Sequence, residues 1–101
     1  RAMNREEVLR DAEEMISAIR DEVYGDPLTN HQRIADMWSA ILDVDVRPEE
    51  VVLCMIAVKM SRLCRVPDHR DSWTDIAGYA ALGGEIADNF FDAVDDMKDK
   101  E

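Results

Sequence analysis

The stretch "RPEEVVLCMIAVKMSRLCR", residues 47–65, decides the fold class. Its middle, "VVLCMIAV" at residues 51–58, is apolar all round and lacks the alternation of a half-buried strand. The flanks point to a helix. Pro48 suits a first helical position, where its missing N–H is no loss, and Glu49 and Glu50 favour the positive end of the helix dipole. The second half, "KMSRLCR", turns amphipathic and basic. A helix from about 49 to 65 follows, its first half expected to be the most buried part of the protein. The apolar run falls far short of the roughly 20 residues needed to cross a bilayer, so no membrane partner and a cytoplasmic location are expected.

Working outward, the same period of 3.6 recurs. Val8, Ala12, Met15, Ile19 and Val23 lie at helical spacing behind an Asn4-x-x-Glu7 capping signal, which predicts a helix over about 5–23. "YGDP" at residues 24–27 breaks it, since Gly25 suits a left-handed cap and Pro27 cannot continue the helix. Thr29-x-x-Gln32 reads as the next capping box, and Ile34, Met37, Trp38, Ile41 and Leu42 form one stripe, predicting a second helix over about 30–43 with Met37 and Trp38 in the core. A fourth helix is expected from near Ser72, with Asp71 or Ser72 as cap, to Gly83-Gly84. Beyond those glycines Ile86, Ala87, Phe90, Phe91 and Val94 continue a stripe to about residue 97. The pair either breaks the helix or lets another backbone come close. No strand pattern, repeat or linker is present. The expectation is a single all-α domain, a bundle of four to five helices, with residues 1–3 ahead of the native start and an acidic tail at 97–101. Apolar residues on two faces of the fourth helix predict a homo-oligomer built partly on it; alternatively Phe90 and Phe91 fold back onto the first helix.

The chain has 23 acids, 12 Lys and Arg, and a net charge of −11, which argues against a nucleic-acid duplex as partner. The charge is uneven: residues 1–26 hold 8 acids and 4 bases, and residues 85–101 hold 7 acids and 2 bases. Between them Lys59, Arg62, Arg65, His69 and Arg70 form a cationic cluster, the natural place for an anionic ligand. Cys54 and Cys64 lie ten residues apart among apolar neighbours and read as reduced, buried thiols.

Asp71 and Asp75 are four apart, so a helix projects both carboxylates on one face. Two carboxylates at that spacing suit Mg²⁺ or Mn²⁺, which prefer oxygen donors and retain waters. Tyr79 extends the same face by a turn. Lys59 and Arg62 share a face of the third helix, and antiparallel packing of the third and fourth helices would turn this basic pair toward the aspartates. Metal and bases together would suit a polyphosphate. The plainer reading makes Asp71 an N-cap, Asp75 a first-turn acid, and Lys59 and Arg62 their ion-pair partners. Asn30 and His31 open the second helix, as cap and surface residue or as groups directed at a nucleobase or sugar. Trp73 reads as core, with base stacking as the alternative. P-loop, GxGxxG, HExxH, GxSxG and zinc spacings are absent from the sequence.

The blocks "YGDPLTNHQRIADMWSAIL", "IAVKMSRL" and "DHRDSWTDIAGYAALGGE" resemble, in their order, a family of small proteins of unknown function common in bacteriophages, including those of actinobacteria. The resemblance covers about residues 20–88. The "YG", K-x-x-R-L and D-x-x-x-D-I-A-x-Y elements also look like the nucleotide-modification-associated phage domains and, more distantly, the MazG-like all-α nucleoside triphosphate pyrophosphohydrolases. That resemblance implies an oligomeric helical bundle that handles nucleotides with Mg²⁺. It maps the family's later metal motif loosely onto Asp71 and Asp75, spaced four rather than three apart, while the earlier E-E-x-x-E motif has no match in this chain. The expected function is binding of a nucleotide or nucleotide-derived signal, with pyrophosphohydrolase activity as its catalytic form. The alternative is a non-enzymatic helical protein that binds a host or phage protein.

Overall fold

In a computed structural model the described residues, 3–19 and 26–99, form four helices and no strand. They are α1 (Arg5–Ile19), α2 (Pro27–Leu42), α3 (Pro48–Arg65) and α4 (Arg70–Asp99). The sequence-based end of the first helix, residues 20–23, and the Gly25 cap lie outside the described residues.

Each start has a local cause. Asn4 Oδ1 accepts from the Glu7 amide at 2.9 Å, which opens α1 as its capping signal predicts. α2 begins earlier than the Thr29-x-x-Gln32 reading placed it. Asp26 is its N-cap and accepts from both the Thr29 amide (3.1 Å) and the Thr29 hydroxyl (3.0 Å), while Gln32 donates to Asp36 instead. Pro27 explains the shift, because its fixed φ is already helical at the first position. Asp43 closes α2 in the left-handed region at φ 56°. In the following connector the Ser39 hydroxyl donates to the Ala35 carbonyl (2.7 Å) and accepts from the Val46 amide (2.9 Å). Pro48 takes the first position of α3, as expected, and Glu50 accepts from the Arg47 amide at 2.9 Å.

α4 starts at Arg70, so neither Asp71 nor Ser72 is its cap. The His69 carbonyl accepts from the Ser72 and Trp73 amides, and Ser72 is buried, its hydroxyl 2.7 Å from His69 Nδ1. The helix then runs unbroken through Gly83-Gly84. A Cβ at Gly83 would sit 3.1 Å from Val52 Cγ1, whereas Gly84 faces open space. Gly83 therefore serves close packing of α4 on α3, and Gly84 does not.

α4 is the hub. It packs against each of the other three helices, α2 also meets α3, and α1 packs on α4 alone among the described helices. The core is Val52 of α3 with Leu82 and Ile86 of α4, flanked by Ile16, Leu28, Ile56 and Tyr79. This corrects several expectations. α3 buries Val51 and Val52 but leaves Leu53, Val58 and Met60 exposed, because an all-round apolar helix has here too few neighbours to cover it. Its Cys54 and Cys64 are free, as expected, but exposed rather than buried. Met37 is also exposed, Trp38 is half-buried, and Trp73 is exposed, with its indole N–H donating to the Pro67 carbonyl at 2.9 Å. Phe90 and Phe91 stack edge to face, and Phe90 lies beside α2 rather than α1, in a cleft with Leu28, Gln32 and Asp36. No described helix is long and apolar enough to cross a membrane.

Candidate functional site

The four-residue connector between α3 and α4 folds them back to back, so the basic end of α3 meets the first turns of α4. The cationic cluster of the sequence divides into three parts there. Lys59 Nζ lies 2.9 Å from Asp75 Oδ2, with side chains 13% and 25% exposed. This is a half-buried brace between α3 and α4. Arg70 turns the other way, to α1. It donates from Nη2 and Nε to Asp11 Oδ2 at 2.7 and 3.1 Å and lies 3.5 Å from Glu7. Hydrogen bonding and charge from Asp11 raise its pKa above the ordinary guanidinium value.

The third part is a cleft of about 370 Å³ lined by Ser61, Arg62, Arg65, Val66 and His69. Among the described residues no carboxylate pairs with Arg62 or Arg65. Helical spacing explains their convergence: Ser61 with Arg65, and Arg62 with Val66, are four apart on the last turns of α3. His69 closes the cleft from the start of α4, where unpaired backbone N–H groups of a first helical turn carry partial positive charge. The cleft wall is mainly aliphatic, and two arginines, a serine and a histidine are the polar side chains at it, residue types suited to phosphate oxygens.

The other sequence-predicted site residues lie elsewhere. Asp71 is exposed on the first turn of α4, and Asp75 is engaged by Lys59. Among the described residues no group of three His, Cys, Asp or Glu side chains is placed to hold a metal ion. Tyr79 packs on the core cluster. Asn30 and His31 belong to the first turns of α2, where His31 Nδ1 donates to the Pro27 carbonyl at 2.8 Å, and neither lines the cationic cleft. Ser61 and Val66 are lining residues that the sequence reading did not assign to the site, and Arg65 was named in the cationic cluster but not beside Lys59 and Arg62 as facing the phosphate. The available signal was the Ser61/Arg62/Arg65 spacing on one helical end with no acid between residues 51 and 65.

Fold and cleft together define a small helical protein with an arginine-lined cleft at a helix–helix corner. The chain belongs to the family described as a domain of unknown function, DUF6378, whose model matches residues 7–87. It is similar to the Gene 55 protein of Mycobacterium phage L5, with 42% identity over 76 residues, covering 74% of this chain and 49% of that protein. It is also similar to the Gene 55 protein of Mycobacterium phage D29, at 37% identity over 75 residues, covering 74% and 50%. The chain thus spans about half the length of the curated relatives it matches. The phage-family resemblance carried by the sequence blocks is thereby shown. No solved structure matches this chain.

Proposed function

We propose that this phage-family protein binds a phosphate-bearing nucleotide or nucleotide-derived signal in the cleft between the end of α3 and the start of α4. One observation carries the reading. In a chain with 23 acids and 12 Lys and Arg, Arg62 and Arg65 lack a carboxylate partner among the described residues and line the same cleft. Two guanidinium groups held at one concave site repel each other, and an anionic ligand relieves that repulsion. His69 and Ser61 add hydrogen-bonding groups for orientation.

The geometry favours binding over hydrolysis. A Mg²⁺ or Mn²⁺ ion on Asp71 and Asp75 would have to displace Lys59 from Asp75, and Asp71 is solvated on the helix surface. The donor set fits a divalent ion poorly. The test is incubation of the protein with NTPs, dNTPs and cyclic nucleotides, with and without Mg²⁺, followed by chromatography of the small molecules before and after denaturation. The expected result is depletion of one nucleotide before denaturation and its intact recovery afterwards. Arg62→Glu and Arg65→Glu should each weaken binding by about tenfold or more. No depletion of any nucleotide would refute the reading, and new monophosphate with pyrophosphate would replace it with the enzyme.

A second reading, a helical protein that acts through protein contacts, is favoured by the exposed Met37, Ile41, Leu53 and Met60. Under it the arginine substitutions leave function unchanged, while an acid placed among those apolar residues abolishes it.

A further inference from the structure

Two neighbouring helices leave periodic apolar stripes uncovered. On α3, Leu53, Ala57, Met60 and Cys64 follow at steps of four, three and four, and all are exposed. That is the spacing of a coiled-coil seam, which repeats every 3.5 residues. On α2, Met37, Ala40 and Ile41 form a second exposed stripe. Scattered exposed apolar residues are ordinary on a monomer, but a periodic row along a helix marks a contact surface.

The area agrees with this. The chain exposes 7209 Å², whereas a compact monomer of this mass exposes about 5,800 Å². The 30-residue α4 is far longer than the other helices, and the elongated shape it gives the chain, 56 × 27 × 24 Å, accounts for part of the difference. The surplus of about 1,400 Å² exceeds the roughly 800 Å² that each partner contributes to a standard interface.

Charge decides where a second copy can meet the first. A second copy has the same net charge of −11, so most of its surface repels the first. Residues 51–67 are the longest run of the chain without an Asp or Glu, and the α3 stripe lies wholly inside it. Two copies that meet there face no carboxylates across the seam. An antiparallel crossing also holds the Arg62 and Arg65 pairs of the two copies at opposite ends.

We propose that α3 pairs antiparallel with α3 of a second copy along Leu53, Ala57, Met60 and Cys64, with the small Ala57 at the close approach and α2 Met37 and Ile41 at the rim. Arg62 and Arg65 point about 140° and 80° round the helix from Ala57, away from the side of Leu53 and Met60, so both guanidinium groups stay clear of the seam in this dimer.

The test is the solution mass of the full chain by sedimentation equilibrium over the micromolar range. The expected result is twice the chain mass for the wild type and the chain mass for the double variant Leu53→Asp/Met60→Asp, with dimerisation weakened about a hundredfold or more. Both positions are exposed in the single chain, so helicity by circular dichroism should be unchanged. As a second readout, alkylation of Cys54 and Cys64 should slow as wild-type concentration rises and stay constant in the variant. A wild-type monomer throughout the range overturns the proposal, including one whose apolar face is later covered by a different protein. A dimer that survives the double substitution also overturns it, because its contact must lie elsewhere.

Discussion

The Lys59–Asp75 pair gives the sharpest prediction, because it separates a structural brace from a metal ligand. The two groups are 2.9 Å apart, joining the second turn from the end of α3 to the second turn of α4. Exposures of 13% and 25% place the pair between a surface bridge and a buried one. Exposed pairs contribute about 0–1 kcal/mol, and breaking fully buried ones costs about 3–5 kcal/mol. Lys59→Ala should therefore cost about 2 kcal/mol, most of it the penalty of leaving the Asp75 carboxylate without its partner. For a domain of this size that lowers Tm by roughly 8–16 °C. Asp75→Asn should cost a similar amount, and the double substitution clearly less than the two added, a coupling of about 1 kcal/mol or more in a double-mutant cycle. The assay is thermal or urea unfolding followed by circular dichroism, with and without Mg²⁺. Additive single effects would refute the brace. Stabilisation of the wild type by Mg²⁺ that disappears in Asp75→Asn would show that the carboxylate's partner in solution is a metal.

Three further outcomes follow from packing and capping. Ile86 is fully buried in the core cluster, so Ile86→Ala should cost about 2–5 kcal/mol in urea unfolding, more than any other single truncation proposed here. Gly84→Ala fills open space in an unbroken helix and should stabilise by about 0.5–1 kcal/mol, read as a higher Tm. Gly83→Ala should lose that gain, since its new methyl meets the stiff, buried Val52. Asp26→Ala removes the acceptor of two Thr29 bonds and should cost about 1 kcal/mol. Thr29→Ala keeps the backbone bond and should cost less.

Helix number and phasing were legible because they depend on local periodicity: Val8 to Met15, Ile34 to Leu42 and Ile86 to Val94 each mark a helix that the structure contains. The start of α2 was not, because Asp26 and Thr29 both carry capping chemistry and the choice between them depends on where Pro27 fits. The all-round apolar "VVLCMIAV" showed a helix without showing which side would be covered, a matter of how many neighbours the fold supplies. The site was legible as a cluster of bases but not in its division. Arg70 pairs with Asp11, fifty-nine positions away, and no spacing rule connects them. Lys59 with Asp75 was foreseen as an ion pair in the plainer reading, and that pairing is what leaves Arg62 and Arg65 as the pocket's cations.

The packing of α1 on α4 alone has a consequence for cooperativity. α1 is fastened by Ala12, by Met15 and Ile16 beside Gly78, and by the Arg70 fork on Asp11, all facing one helix. Its detachment would uncover the Ile16 side of the core cluster but break no contact among α2, α3 and α4, so it can open as a separate unit at a free energy below that of global unfolding. Amide exchange should accordingly have two tiers, with α1 amides exchanging ahead of those around Val52 and Ile86. Asp11→Asn, which removes the charge that Arg70 grips, should widen the gap between the tiers.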